Sequence, residues 1–379
     1  MQRTLSLYVH VPFCSKRCGY CDFNTYTPAQ VGLGAVQAYL DAAHNEIDIA
    51  RETIGDGRKL DTVFFGGGTP TLLDTEALGG LLAHAKECFG FSGSVEITTE
   101  ANPETLDDDV LEHLLSAGFN RLSIGMQSSD ETVLGVLDRV HQPGRAVQAA
   151  KRARQIGFSN ISLDLIYGTP GESLESWRSS LLDALSAGPD HISAYSLIVE
   201  DGTPLARRIK KGKVAKVDED DLADKYLLAD ELLSEAGLEN YETSNWAKDG
   251  FESRHNIAYW LGGDWWGIGP GAHSHLADKR WWNVKRPLRY AEQLHQNGSA
   301  IEGSETLDEI AKHEEEVLLR MRLKRGLELR KLSASEASRV QRFIDQGLLE
   351  KFVSEEGQMI RASQDGRLLI DGIVVEILD

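Results

Sequence analysis

Six short apolar runs, each ahead of an amphipathic stretch, limit what the first two hundred residues can become. The runs are SLYVHV (6–11), TVFF (62–65), SVEITTE (94–100), RLSIGMQ (121–127), NISLDLIYG (160–168) and HISAYSLIV (191–199). Between them lie helical patterns such as TEALGGLLAHAKECF, DDDVLEHLLSAG, RAVQAAKRARQIG and SLESWRSSLLDALSAG. Several end at a glycine, as helix C-termini commonly do. Repeated strand–helix units demand parallel pairing through right-handed crossovers. Six units fall short of the eight that close a barrel, so the expected fold class is α/β, a partial, TIM-like (β/α)6 barrel.

Unusual residues begin where these runs end. Three cysteines follow the first run, GGGTP the second and EANP the third, while Gln127 closes the fourth. The carboxyl ends of strands form the working face of such barrels, so this placement is itself informative. We divide the chain into a barrel over 1–200, an extension over 201–304 and a small unit over 305–379. In the extension the pattern breaks into loops around SNWAKDGFESRHNIAYWLGGDWWGIGPGAHSH, and six of the seven tryptophans lie between Trp246 and Trp282. The last unit reads as helical (LDEIAKHEEEVLLRMRL), with HEEE (313–316) as a solvated helix face. GQMIRAS and GRLLIDGIVVEIL then close it as a β-hairpin, giving a winged-helix-like shape.

Composition narrows the classes further. The formal net charge of −19 over 379 residues repels phosphate backbones, so no nucleic-acid partner is expected. The one basic run, RRIKKGK (207–213), precedes DEDD and reads as a solvated loop. No apolar run approaches the roughly 20 residues that span a bilayer, and MQRTLSLYVHVPF lacks the form of a signal peptide. Four cysteines argue against a disulfide scaffold and for a cytoplasmic setting. A homodimer and peripheral membrane contact stay open.

Cys14, Cys18 and Cys21 form CxxxCxxC. Thiolates suit iron–sulfur clusters, zinc and copper(I), and Gly19 lets the backbone fold tightly around a bulky ligand. Three thiolates on a [4Fe–4S] cube would leave one iron for a non-protein ligand. A zinc site completed by Cys88 or a histidine is the rival reading, and chance spacing another. GGGTPT puts three glycines at a strand end, where a ligand could approach the backbone closely or the chain could simply turn.

Together, YVHVPFCSKRCGYC and GGGTPT resemble the radical S-adenosylmethionine (SAM) superfamily, and within it the oxygen-independent coproporphyrinogen III oxidase family. The resemblance extends through EITTEANPET, LSIGMQS, DRVHQ, ISLDLIYGTPGE and GIGPGAHS into the C-terminal unit. It implies a radical SAM barrel in which Cys14, Cys18 and Cys21 hold a [4Fe–4S] cluster whose open iron is chelated by SAM. Tyr8, Gly67 and Glu100 would then lie around that molecule. Contacts of a second SAM would map to Tyr20, Gly68, Thr69, Gln127, Arg139 and Asp164. The residue types agree, since carboxylates accept from an ammonium or ribose and Arg139 can grip a carboxylate.

Two departures count against the oxidase activity. The oxidase has a further cysteine two residues past the third ligand, where this chain has Phe23. It also has a substrate-enclosing stretch ahead of the cluster, where this chain has seven residues before Tyr8. In the other direction, HNIAYW (255–260) matches the HNxxYW motif of the family's heme-chaperone branch. An imidazole can ligate heme iron and aromatic faces can pack on a porphyrin, which makes His255 the candidate heme ligand. His255, Tyr259 and Trp260 share a face if the segment is helical. The expected task is therefore heme binding and delivery to an apo-hemoprotein, with coproporphyrinogen oxidation as the alternative. His273 and His275 are secondary heme candidates. GIGPGA (267–272) should line the barrel mouth, YGTPGES should be a capped strand-to-helix turn, and Cys88, one turn after His84, reads as a buried thiol.

Overall fold

The computed structural model describes residues 3–379. Strands β1 (Leu5–Val11), β2 (Leu60–Gly67), β3 (Phe91–Ala101), β4 (Arg121–Gln127), β5 (Asn160–Tyr167) and β6 (His191–Ser196) lie side by side in chain order, all parallel. Helices Ala35–Ile54, Thr75–Phe89, Asp108–Ala117, Arg145–Ile156 and Leu174–Ser186 carry the chain back between them. Their ends follow local chemistry. Asp74, Asp107 and Ser173 cap amino ends through their side chains, and glycines 90, 118 and 157 end three of the helices at positive φ. The partial barrel is present as expected, and YGTPGES is the capped turn.

Period two along these strands decides what faces where. Leu7, Val9, Val63, Phe65, Leu122, Ile124, Leu163, Leu165 and Ile192 are fully buried between the sheet and the helices. Burial of each is worth about 1.5–3 kcal/mol. The intervening Tyr8, Glu100, Arg121, Ser123, Asp164 and Ser193 turn to the concave side instead. The apolar core thus sits outside the barrel, and its interior is left polar.

Residues 201–304 do not dissolve into loops. After helices Pro204–Lys210 and Glu219–Glu235, the hairpin β7 (Glu239–Glu242) and β8 (Asn245–Ala247) pairs with β6. Beyond the other edge, β9 (Asp264–Ile268) runs parallel to β1, followed by antiparallel β10 (His273–Leu276), β11 (Lys279–Asn283) and β12 (Ile301–Thr306). The result is one sheet of twelve strands, ordered β12-β11-β10-β9-β1-β2-β3-β4-β5-β6-β8-β7. RRIKKGK is largely the helix Pro204–Lys210, and its Arg208 reaches back to the Val136 carbonyl.

A second apolar cluster gathers Val317, Met321, Val340, Phe343, Ile360, Ile373, Val374 and Ile377. It lies among helices Glu309–Arg320, Ala334–Asp345 and Ile370–Leu378 and a small sheet of β13 (Leu327–Glu328), β15 (Gly357–Ala362) and β14 (Leu349–Ser354). Here the hairpin differs from expectation. GQMIRA pairs with the preceding LEKFVS, while IDGIVVEIL is a helix. Its buried Ile370, Ile373, Val374 and Ile377 recur at i, i+3, i+4 and i+7, a helical stripe that the β-branched residues disguise. HEEE is not simply solvated either: His313 meets Glu336, Glu315 pairs with Arg280 of β11, and Glu316 pairs with Arg320 and Lys331. Arg367 clasps the buried Asp230 carboxylate at 3.0 and 3.1 Å, tying this unit to the helix Glu219–Glu235. Among the described residues, no helix is long and apolar enough to cross a membrane.

Candidate functional site

The concave face opens into a cavity of about 520 Å³. Its walls include Cys14, Cys18 and Cys21 together with Tyr8, Tyr20, Gly67, Gly68, Thr69, Glu100, Gln127, Arg139, Asp164 and His255. These candidate residues, from six separate stretches of chain, therefore converge on one space.

The cysteine loop leaves the end of β1 and is tied at its base. The Cys14 N–H donates to the Tyr26 carbonyl (3.0 Å), and the Tyr26 N–H donates to that of Pro12 (2.7 Å). At its middle, the Gly19 N–H reaches the Leu137 carbonyl at 3.1 Å, and the Gly19 carbonyl accepts from the Leu205 N–H at 2.8 Å. A Cβ at Gly19 would meet the Asp138 carboxylate, which would have to swing aside. The three sulfurs share one loop and one cavity wall, soft donors of the kind that hold an iron–sulfur cluster or zinc. Burial pushes the Cys14 thiol up to about 11 and the Cys21 thiol upward as well. Thiolates here call for a metal's positive charge.

The glycine stretch works differently from expectation. Gly68 is pressed against the chain itself: a Cβ there would sit 2.5 Å from the Phe13 carbonyl oxygen and 2.8 Å from that of Val11. The Gly68 and Thr69 N–H groups donate to those carbonyls, both at 2.8 Å. Close approach is thus made by the cysteine loop's own backbone, which the glycines hold in place. The Thr69 hydroxyl lies 3.9 Å from the Cys14 sulfur. Across the cavity, Arg139 donates to the Cys18 sulfur at 3.6 Å and to the Gly125 carbonyl at 3.0 Å, while its buried Nε has no partner. Gln127 ends β4 at φ +62°, a strained setting for a side chain with a Cβ.

Deeper in, charges are buried together. Glu100 accepts from the Gly67 N–H at 3.0 Å, and burial with the nearby Asp164 pushes its carboxyl up to about 7. Asp164 is also raised by burial, against hydroxyl hydrogen bonds from Ser123 (2.9 Å) and Ser162 (3.3 Å). Arg121, almost fully buried, offsets both carboxylates, and its Nε lacks a partner. Arg121, Ser123, Ser193 and Tyr195 line this wall although their sequence drew no attention. The available signal was polar residues at every second position of otherwise buried strands.

HNIAYW lies on the helix Arg254–Trp260, capped by Ser253 and seated on the first halves of β2 and β3. Glu96 accepts from the N–H groups of Arg254 and His255, both at 3.0 Å. His255 is buried, and both ring nitrogens are engaged: Nδ1 with the Thr62 hydroxyl (2.7 Å) and Nε2 with the Tyr259 hydroxyl (2.8 Å). Thr62 gives its own proton to Ser6 (2.9 Å) and so accepts from Nδ1–H, which leaves the lone pair on Nε2. Burial and then Arg121 pull this imidazole down to about 3, so it is neutral at pH 7. Asn256 and Tyr259 share the cavity wall. His273, His275 and GIGPGA do not. His273 stacks on Trp282, His275 Nδ1–H donates to the Gly263 carbonyl (3.0 Å), and the Pro270 carbonyl accepts from the Asn24 amide behind the cysteine loop (2.9 Å). Cys88 is only partly buried, on the outer helices.

Residues 8–184 match the Radical SAM superfamily. The heme chaperone HemW of Mycobacterium tuberculosis is 47% identical over 98% of this chain and 94% of its own length. The chain belongs to the HemW family. The Bacillus subtilis member is 36% identical over 85% of this chain and 84% of its own. Among solved structures, the coproporphyrinogen III oxidase HemN of Escherichia coli, described as a radical SAM enzyme, superposes with a TM-score of 0.84. It shares 26% identity over 99% of this chain and 90% of that one. HemW relatives thus cover nearly the full chain, including the C-terminal unit, at higher identity than the oxidase.

Proposed function

We propose that this HemW-family chain binds heme and hands it to an apo-hemoprotein, with a [4Fe–4S] cluster on Cys14, Cys18 and Cys21 and SAM in the same cavity. The observation that carries the reading is the convergence of the three thiols, the polar wall and the HNxxYW helix on one space. A cluster of this kind supplies one electron for reductive cleavage of the SAM sulfonium.

The chain's own residues do the rest. Arg139, with its unpartnered Nε, offers a cation to a carboxylate beside Cys18. Glu100, Asp164 and their serine donors offer acceptors for an ammonium or ribose hydroxyls. Cavity walls of Tyr8, Phe64 and Tyr259 suit a flat aromatic ligand. For His255 the tautomer favours the role, since Thr62 fixes Nδ1–H and the Nε2 lone pair faces Tyr259. Ligation requires the Tyr259 hydroxyl to give way.

The test is an anaerobic heme titration of the cluster-loaded chain, expected to reach one equivalent. His255→Ala should weaken binding about tenfold or more, whereas Tyr259→Phe, which frees Nε2, should not weaken it. Unchanged heme affinity in His255→Ala would refute ligation by this residue. The likeness to HemN favours a second reading as a coproporphyrinogen oxidase. Robust conversion of coproporphyrinogen by the same preparation, with SAM and reductant, would establish it in place of the chaperone.

A further inference from the structure

Away from the cavity, the outer helices Ala35–Ile54 and Thr75–Phe89 pack side by side. His44 and Asp48 stand four residues apart on one, His84 and Cys88 four apart on the other, so each pair shares a helix face. The two faces meet. His84 Nε2 lies 2.8 Å from an Asp48 carboxylate oxygen, and that same oxygen lies 3.6 Å from the Cys88 sulfur. On its other side, His84 Nδ1 lies 2.7 Å from His44 Nδ1, with the rings stacked at 4.9 Å.

We propose that Asp48, His84 and Cys88 form a divalent transition-metal site of the zinc class, with His44 as its positioning residue. The ligand atoms of the three already lie within 4.8 Å of one another. A tetrahedral ion with bonds of about 2.0–2.3 Å spreads its ligands roughly 3.3–3.8 Å apart. The Asp48–Cys88 separation fits as it stands, and the His84–Asp48 contact needs to open by about half an ångström. One nitrogen, one oxygen and one sulfur ligand match a borderline-soft divalent ion better than copper(I) or calcium.

His44 supplies what ligating histidines commonly have, a partner for the other ring nitrogen. With an ion on Nε2, His84 donates Nδ1–H to His44, which fixes the tautomer and the ring plane. His84 thereby moves its proton from Nε2, where it now meets Asp48, to Nδ1, and His44 shifts its own from Nδ1 to Nε2. The Cys88 thiol gives its proton to solvent as the sulfur binds the ion. Asp48 is exposed, so solvent can reach a fourth position. None of these four residues lies on the wall of the large cavity, and the site stands apart from the three-thiol loop.

Cobalt(II) reports such a site through its thiolate absorption. The cluster-loaded chain, titrated anaerobically, should take up one cobalt with a thiolate-to-metal band that zinc displaces. Cys88→Ser should abolish the band, and Asp48→Ala should weaken uptake at least about tenfold. His44→Ala should keep the band but weaken uptake about 10–100-fold, as loss of an outer-shell partner does. The combined Cys14→Ser, Cys18→Ser, Cys21→Ser chain should still give the band. Absence of cobalt uptake, or a band that survives Cys88→Ser in the cluster-loaded chain, would overturn the assignment.

Discussion

Glu46 offers a sharp test of how the barrel wall is held. This fully buried carboxyl on the helix Ala35–Ile54 accepts from the Gly269 N–H (2.8 Å), the Tyr290 hydroxyl (2.6 Å) and the Asn283 amide (2.7 Å). It thereby ties the turn after β9 and the end of β11 to this helix. Burial pushes its carboxyl from 4.5 up to about 7, despite those three donors. The folded chain therefore holds this proton more tightly than the unfolded one, so its contribution to stability is full below pH 4.5 and is lost as pH rises toward 7. At about 1.4 kcal/mol per pH decade, the interval is worth about 3 kcal/mol, of which about 2 falls between pH 5 and 7. Glu46→Gln keeps the shape and an acceptor but cannot ionise. Urea unfolding at pH 5, 6, 7 and 8, followed by tryptophan fluorescence, should show the variant within about 1 kcal/mol of the parent at pH 5. By pH 8 it should have gained about 2 kcal/mol relative to the parent. If the two stability profiles run parallel across that range, the buried-carboxyl argument fails.

Two further outcomes follow from the packing. Gly68→Ala forces Phe13 and Val11 carbonyls away from a new Cβ, so iron and sulfide retained after anaerobic reconstitution should drop below half; Gly80→Ala, where nothing lies within 4 Å, is the control that should retain both. Arg367→Leu leaves the Asp230 carboxylate buried with only Trp246 and Gln364 as donors, and should lower stability by about 3 kcal/mol and Tm by roughly 4 °C, read in a thermal melt.

How much of this was legible in the sequence depends on the range of the interactions. The six parallel strands and their helices were readable because period and capping are local, as Ser173 and Asp107 illustrate. The site was readable because its odd residues cluster at strand ends. By contrast, DWWGI, HSHL and KRWWN are short strands with apolar and aromatic residues in no clean alternation, so β9 to β11 looked like loop. The last helix was hidden by GIVVEI, whose β-branched residues favour strands until helical packing on Val340 and Phe343 overrides them. The HNxxYW segment showed its helical face, but its seat on Thr62 and Glu96, more than 150 residues earlier, could not be seen from spacing. Arg121 and Ser193 were overlooked because only the folded barrel reveals that its concave side is polar.

The stitches through Gly19 bear on how much the loop's own sequence can vary. Its midpoint is anchored to Leu137 and Leu205 and its base to Tyr26, in each case main chain to main chain. Side chains between the three cysteines can therefore be exchanged without untying the segment, so long as each tied amide keeps its hydrogen.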